Sequence, residues 1–264
     1  MTRLLNGITA FLIDLSGTLH IGDTPTRDAV RSLERLQATG KPLRFLSNSS
    51  KESQRSLAER LRRMGFDIDG ADIFTSLSAA RQYVNSKGHK PMLLLSDSAK
   101  EDFRHLVPAS ESECDAVLLG LAPSELHYSR LDDAYRLLSR KGTTLIATHR
   151  AMFYAAADGL SLGPGGFISM LEEAAGIEAH VLGKPSKSFF ELCLLSLPDS
   201  ARKGVAMIGD DCKADFGQGC DELGMRKFML RTGKYKAGDE TKVEGRSPER
   251  IDDDFAALVD ALLR

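Results

Sequence analysis

The sequence predicts an α/β protein built on a parallel sheet, with a second, smaller α/β unit. Three observations carry this. Short apolar runs alternate with helix-period segments along most of the chain. Several runs are apolar at nearly every position, as strands covered on both faces require. The 264 residues exceed one average domain but leave no room for two full-sized ones.

Composition narrows the classes. With 42% hydrophobic and 27% charged residues, global disorder is excluded. The 35 basic and 37 acidic residues leave a net charge of −2, so no basic field recruits a nucleic-acid polymer. No apolar run approaches the roughly 18 residues of a membrane span, and the N-terminal stretch has no signal-peptide core. Four cysteines without a C-x-x-C pair argue for a reduced, cytoplasmic setting and against structural zinc.

The elements follow in order. Residues 8–13 read as a buried strand. Residues 25–39 read as a helix with Ala29, Val30, Leu33 and Leu36 on one face, closed by Gly40. Residues 43–46 form the next strand. Ser49 and Glu52 make a capping-box pattern, opening a helix that turns Leu57 and Leu61 inward and stops at Gly65. Further strands are expected at 92–95, 116–119, 144–147, 178–182, 205–208 and 227–230. Further helices are expected at 76–86, 124–139, 167–175, 186–197 and 253–263. The polar stretch 234–248 lacks periodicity and reads as a mobile surface loop. No linker separates two domains, so the second unit must be an insertion on short hinges.

Four places join this scaffold to chemistry. Asp14 follows the first strand, where α/β proteins present ligands, and Gly17 allows a sharp turn there. Ser47, Asn48 and Ser49 sit between a strand and a helix start, a place suited to an anion. Ser49 alone is explained by capping. Lys184 follows a strand and precedes Pro185 at a helix start, where an ammonium can neutralise a phosphate oxygen. Asp210, Asp211 and Asp215 follow the 205–208 run and offer the hard oxygen ligands that Mg²⁺ prefers.

Together, in this order, D-L-S-G-T-L-H, F-L-S-N-S-S-K-E-S, G-K-P-S-K and M-I-G-D-D-C-K-A-D resemble the four-motif signature of the haloacid dehalogenase superfamily. The resemblance runs essentially the whole length. It implies a Rossmann-like parallel-sheet core from residues 1–78 and 181–264, interrupted by a large α/β cap at 79–180. It further implies an aspartyl-phosphate on Asp14, phosphoryl contacts from Leu15, Ser16, Ser47 and Asn48, and charge stabilisation by Lys184. Mg²⁺ would sit on Asp14, the Ser16 carbonyl and Asp210, with Asp211 and Asp215 auxiliary. Tyr154 lies near where relatives place a cap residue over a small phosphorylated substrate, although an aromatic core residue explains it equally. His149 and Arg150 are further candidates. A homodimer through the cap is implied by several relatives.

One position departs from the family pattern. Most members carry an aspartate two residues after the nucleophile as general acid/base, and here it is Ser16. Losing such a group costs roughly 10²–10⁴ in rate, about 3–5 kcal/mol of barrier. Members acting on phospholysine and pyrophosphate share the serine, so substrates whose leaving group needs little protonation are expected. The alternative is a weakly active or inactive protein that binds a phosphorylated metabolite.

Two further motifs compete. Residues 159–163 fit G-x-S-x-G, the nucleophile elbow of α/β hydrolases, with Ser161 and a downstream His180. That motif needs a buried strand directly before and a helix directly after, and the flanking residues suit neither. Residues 163–166 lack the G-K-[ST] ending of a phosphate loop and read as a turn. The acidic start of the last helix argues against membrane docking.

Overall fold

The computed structural model describes residues 4–156 and 159–264. In chain order its strands and helices are β1 (Ala10–Asp14), β2 (His20–Ile21), β3 (Thr24–Pro25), α1 (Ala29–Gln37), β4 (Leu43–Ser47), α2 (Gln54–Arg63), β5 (Ile73–Thr75), α3 (Ser76–Lys87), β6 (Pro91–Leu94) and α4 (Asp97–Lys100). These are followed by β7 (Ala116–Leu119), α5 (Tyr128–Leu138), β8 (Thr144–Ala147), β9 (Phe153–Ala156), β10 (Gly159–Leu162), α6 (Gly165–Ala175) and β11 (His180–Val181). The chain ends with α7 (Lys187–Leu195), β12 (Val205–Gly209), α8 (Gln218–Glu222), β13 (Arg226–Leu230), β14 (Arg250–Asp252) and α9 (Phe255–Leu263).

Two compact units emerge. The first runs to Ser47 and adds Leu57–Phe74 and Lys184–Arg264. Its sheet has the order β14-β13-β12-β1-β4-β5. β1 is parallel to both β12 and β4, and β13 is parallel to β12 and β14. Phe11 and Ile13, Leu43 and Phe45, Ala206 and Ile208, and Phe228 and Leu230 share one face, at the period of two that strands impose. Leu33 and Leu36 of α1 and Leu258 and Leu262 of α9 pack against that face. On the opposite face Ala10, Leu12 and Met207 are equally buried, which explains the unbroken apolar runs. The chain moves one way from β1 to β4 and the other way from β12 to β13. The carboxyl ends of β1 and β12 therefore border the switch point where such sheets bind ligands.

The second unit takes Thr75–Gly183 and also Asn48–Ser56. Its parallel sheet has the order β11-β8-β7-β6, with a separate β9–β10 hairpin. Met92, Val117, Leu145, Ile168 and Leu171 belong to its own core.

Several local expectations need correction. The helix expected at 25–39 begins only at Ala29, because Thr24 and Pro25 pair with His20 and Ile21 in a short hairpin. α2 is capped by Ser53, whose Oγ accepts the Ser56 N–H at 3.2 Å, and not by Ser49. Pro185 lies before the α7 cap residue, Ser186, and follows a cis peptide bond. The hairpin, α8 and edge strand β14 were not expected. Ser161 stands opposite Tyr154 inside the hairpin, not on a strand-to-helix turn, so the serine-hydrolase geometry is absent. Ala157 and Asp158 lie outside the described residues. The 234–248 stretch is tied down: Lys227, buried in β13, donates from Nζ to the carbonyls of Glu244 (3.1 Å) and Arg246 (3.0 Å). Among the described residues no helix is long and apolar enough to cross a membrane.

Candidate active site

Three neighbouring strand ends build the site in the first unit. Asp14 closes β1 and stands in register with Leu46 of β4, so Ser47 follows alongside. Ile13 pairs with Ile208, so Gly209 and Asp210 emerge beside Asp14 on the other flank. The chain then turns at Gly17, whose φ is +104°. A Cβ there would overlap the Asp210 carboxylate, so only glycine lets the β1 turn close on the β12 loop.

Carboxylate oxygens of Asp14, Asp210 and Asp215 lie within 4.8 Å of one another, all in buried residues. Lys184 donates to Asp14 Oδ1 and, at 2.6 Å, to Asp215 Oδ1. The lysine side chain is only 2% exposed. Burial alone would depress its pKa, but Asp14 and Asp215 outweigh burial and hold the ammonium charged. Asp215 has little left to give. Its Oδ2 accepts the N–H groups of Asp210 (3.1 Å) and Asp211 (3.0 Å). It orients Lys184 and shapes the loop.

Asp210 is held from two sides. Its Oδ1 faces Thr18 Oγ1 at 3.4 Å and its Oδ2 accepts the Lys234 N–H at 2.6 Å. Burial and the charge of Asp215 push its pKa up to about 6. Asp14 is likewise raised well above the usual carboxylate range, chiefly by burial and Asp215, while Lys184 pulls it back.

Charge and hydrogen bonding agree on what is missing. Inside the cluster three carboxyl groups crowd around the Lys184 ammonium, more acidic groups than it can pair with. Asp14 Oδ2 is buried and makes no hydrogen bond among the described residues. A buried, unpaired carboxyl oxygen is costly and needs an explanation. A divalent cation with a preference for hard oxygen ligands answers both observations. The residues therefore fit such an ion.

The remaining expected residues divide. Ser47 is buried at the end of β4. Ser16 is exposed, bridging toward His20. Leu15 has neither a free donor nor an accessible side chain. Its N–H donates to the Leu46 carbonyl at 3.1 Å and its side chain is 1% exposed in the core, because β1 continues its ladder to β4 past Asp14. Asp211 is spent on its own loop. Its Oδ1 accepts from the N–H groups of Lys213 and Ala214, and its Oδ2 pairs with Lys234 Nζ at 2.9 Å. Against burial, these donors keep its pKa low.

Four of these residues belong to the second unit. Asn48 accepts a hydrogen bond from Ser76 Oγ at its carbonyl. Tyr154 carries the Lys51 ammonium 3.7 Å above its ring centre, a cation–π contact. Arg150 is taken up by a fork to Glu172, and His149 lies 3.4 Å from Ser50 Oγ. Sequence reasoning missed Thr18 and Lys234. Thr18 stood inside the first motif. Lys234 gave no signal, because a backbone N–H leaves no mark on residue type.

Comparison with known proteins follows the same lines. A haloacid dehalogenase-like hydrolase family model matches residues 11–106, and a HAD-hydrolase-like model matches residues 181–258. The chain is 45% identical to haloacid dehalogenase-like hydrolase domain-containing protein 2 of Bos taurus, over 97% of this chain and 96% of that one. It is 33% identical to the phospholysine phosphohistidine inorganic pyrophosphate phosphatase of Rattus norvegicus, over 98% and 96%. A 4-nitrophenylphosphatase from Thermotoga maritima shares the fold with a TM-score of 0.87 at 24% identity, over 99% of this chain and 100% of that one. A glycerol phosphate phosphatase from Mycobacterium tuberculosis, solved with magnesium, superposes with a TM-score of 0.85 at 25% identity, over 98% of this chain and 79% of that one. On this likeness over nearly its whole length, the chain belongs to the haloacid dehalogenase-like hydrolase family.

Proposed function

We propose that this hydrolase is a magnesium-dependent phosphatase of small phosphorylated compounds, working through an aspartyl-phosphate on Asp14. The observation that carries the reading is Asp14 Oδ2, a buried carboxyl oxygen with no hydrogen-bond partner among the described residues, at the switch point of a parallel sheet. The metal would be held by Asp14, Asp210 and the Ser16 carbonyl. When bound, it neutralises phosphoryl charge and orients the group for in-line attack.

The chain's own residues do the rest. Asp14 attacks phosphorus through one carboxylate oxygen, and the leaving group departs from the opposite side. Lys184, fixed between Asp14 and Asp215, opposes the burial that raises Asp14 and so favours the ionised nucleophile. Ser47 and Asn48 hold phosphoryl oxygens. Water then attacks phosphorus of the aspartyl-phosphate, releasing phosphate and restoring Asp14.

Ser16 sets the substrate preference. A hydroxyl is a poor acid at neutral pH, so leaving groups that need little protonation are favoured: pyrophosphate, acyl phosphates and N-phosphoryl compounds. The relative named for phospholysine, phosphohistidine and pyrophosphate supports this reading. In the same proposal the second unit is a cap, with Tyr154 contacting substrate and a homodimer formed through that unit. Four unpaired cysteines support a cytoplasmic setting.

The test is Mg²⁺-dependent phosphate release from pyrophosphate and from an aryl phosphate, in wild type and Asp14→Asn. Turnover should fall at least about 10³-fold in the variant. Activity surviving the substitution would remove the aspartyl-phosphate. Binding of phosphorylated ligands without any release in wild type would make the protein a binding module.

A further inference from the structure

The polar stretch after β13 carries an element that the four motifs do not include. Its first turn is anchored at both strand ends: the Arg231 N–H donates to the Asp252 carbonyl at 2.9 Å, and Arg231 pairs with Asp253 at 3.0 Å. The Tyr235 N–H returns to the Thr232 carbonyl at 3.0 Å, closing a turn around Gly233 and Lys234. Gly233 has a φ of +56°. A Cβ at this position would overlap both the Asp210 carboxylate and Gly17 Cα. The Gly233–Lys234 peptide therefore packs against the β1 turn and the β12 loop at once. From there the Lys234 N–H reaches Asp210 Oδ2 at 2.6 Å, while its ammonium holds Asp211 Oδ2 at 2.9 Å.

We infer that Gly233 and Lys234 are positioning residues for the divalent cation: their peptide fixes the Asp210 carboxylate in the orientation that binds metal. This rests on the metal-dependent reading above. A carboxylate held by Thr18 on one oxygen and by a backbone N–H on the other loses rotational freedom before the ion arrives, so less ordering is left to the binding step. Lys234 contributes through its backbone. Its side chain is 71% exposed, and its surface ion pair with Asp211 adds little. The inference thus separates two variants at adjacent positions. Gly233→Ala pushes the peptide away from Asp210. Lys234→Met keeps the N–H and removes only the ammonium.

Calorimetric titration of Mg²⁺ into metal-free protein tests this, with thermal melts to confirm folding. Gly233→Ala is expected to weaken Mg²⁺ binding at least tenfold, and Lys234→Met by less than threefold. In turnover assays the Gly233→Ala defect should shrink as Mg²⁺ is raised, while substrate KM at saturating Mg²⁺ stays near wild type. A general structural lesion would not be rescued by the ion. A folded Gly233→Ala that binds Mg²⁺ like wild type overturns the inference, as does Lys234→Met losing affinity equally. Wild type that binds no Mg²⁺ at all overturns the metal reading itself, a separate outcome. Should Gly233→Ala fail to fold, hydrogen exchange of the Lys234 amide in wild type decides. Mg²⁺ must slow it, because coupling between ion and hydrogen bond is reciprocal; an unchanged rate overturns the inference.

Discussion

Each unit of this chain has a parallel sheet, and the carboxyl edges of the two sheets differ in kind. At the first, Asp14, Asp210, Asp215 and Lys184 are all buried, and the charges do not balance. At the second, β6, β7 and β8 lead into residues that are neither carboxylates nor lysines: Ser96 after β6, Gly120 after β7, and Thr148 and His149 after β8. There Ser50 Oγ accepts the Leu121 N–H at 2.9 Å and lies near His149, whose Nδ1 takes the Ala151 N–H. Ser96 Oγ donates to the Lys51 carbonyl, and Ser98 Oγ accepts the Ser53 N–H. The same architecture is thus used once to concentrate uncompensated charge and once to pin a segment, Asn48–Ser56, by neutral hydrogen bonds. Fold alone does not place chemistry; the side chains at the strand ends do.

The largest expected difference comes from removing the buried ammonium of the charged edge. Lys184→Met leaves Asp14 and Asp215 buried without a counter-ion. Breaking such a buried pair costs about 3–5 kcal/mol, so the melting midpoint of metal-free protein should drop by roughly 10 °C or more. Turnover should fall by about two orders of magnitude or more, since Asp14 loses the neighbouring charge that favours its ionised, nucleophilic form. Mg²⁺ should recover part of the stability, because it supplies the missing positive charge. Calorimetry with and without the ion checks this, and equal melting points of variant and wild type would show the edge to be balanced by something else.

The next effect is chemical. Ser16→Asp restores an acid where the family usually carries one. It should raise turnover of alkyl phosphates by about 10- to 100-fold, within the range of acid catalysis, and change pyrophosphate turnover much less. Parallel kinetics on the two substrates measure the ratio, and a flat ratio removes the missing-acid argument.

These residues show what a single sequence reveals. Strands at 116–119 and 144–147 were legible because strands covered on both faces are apolar throughout. Asp14, Lys184 and Asp210 were legible because each follows such a run. The β9–β10 hairpin was not, since its short strands leave Phe153 and Leu162 exposed opposite each other and carry no core periodicity. The Ser49 cap failed because Ser53 competes four residues later, and the two patterns differ only in where the backbone turns. That the Leu15 N–H bonds to Leu46 was hidden for a related reason: how far the ladder runs is not encoded in residue type.

On the neutral edge effects should appear as stability without chemistry. Ser50→Ala leaves the buried Leu121 N–H unpaired, a loss of about 1–3 kcal/mol. Urea unfolding should register it, with kcat within about threefold of wild type. The reverse pattern, full stability and lost turnover, would make this edge part of the reaction and erase the contrast.

The smallest expected effect is the sharpest test, because both edges show the same symptom. Thr148 Oγ1, like Asp14 Oδ2, is buried with no hydrogen-bond partner among the described residues. On the charged edge the unpaired oxygen belongs to an ionisable group surrounded by carboxylates and a lysine, so it marks a place for a ligand. On the neutral edge no carboxylate or ammonium accompanies it in the metal-capable cluster, and the hydroxyl is simply unsatisfied. Thr148→Val keeps the shape and removes the polar atom. It should therefore stabilise the protein by about 1 kcal/mol, raising the melting midpoint by roughly 2–4 °C. Mg²⁺ affinity and kcat should stay unchanged. Asp14→Asn, which removes the ionisable group at the other unpaired oxygen, should abolish both. If Thr148→Val instead lowers stability or weakens substrate binding, the hydroxyl has a partner of its own, and the second edge is a binding surface as well.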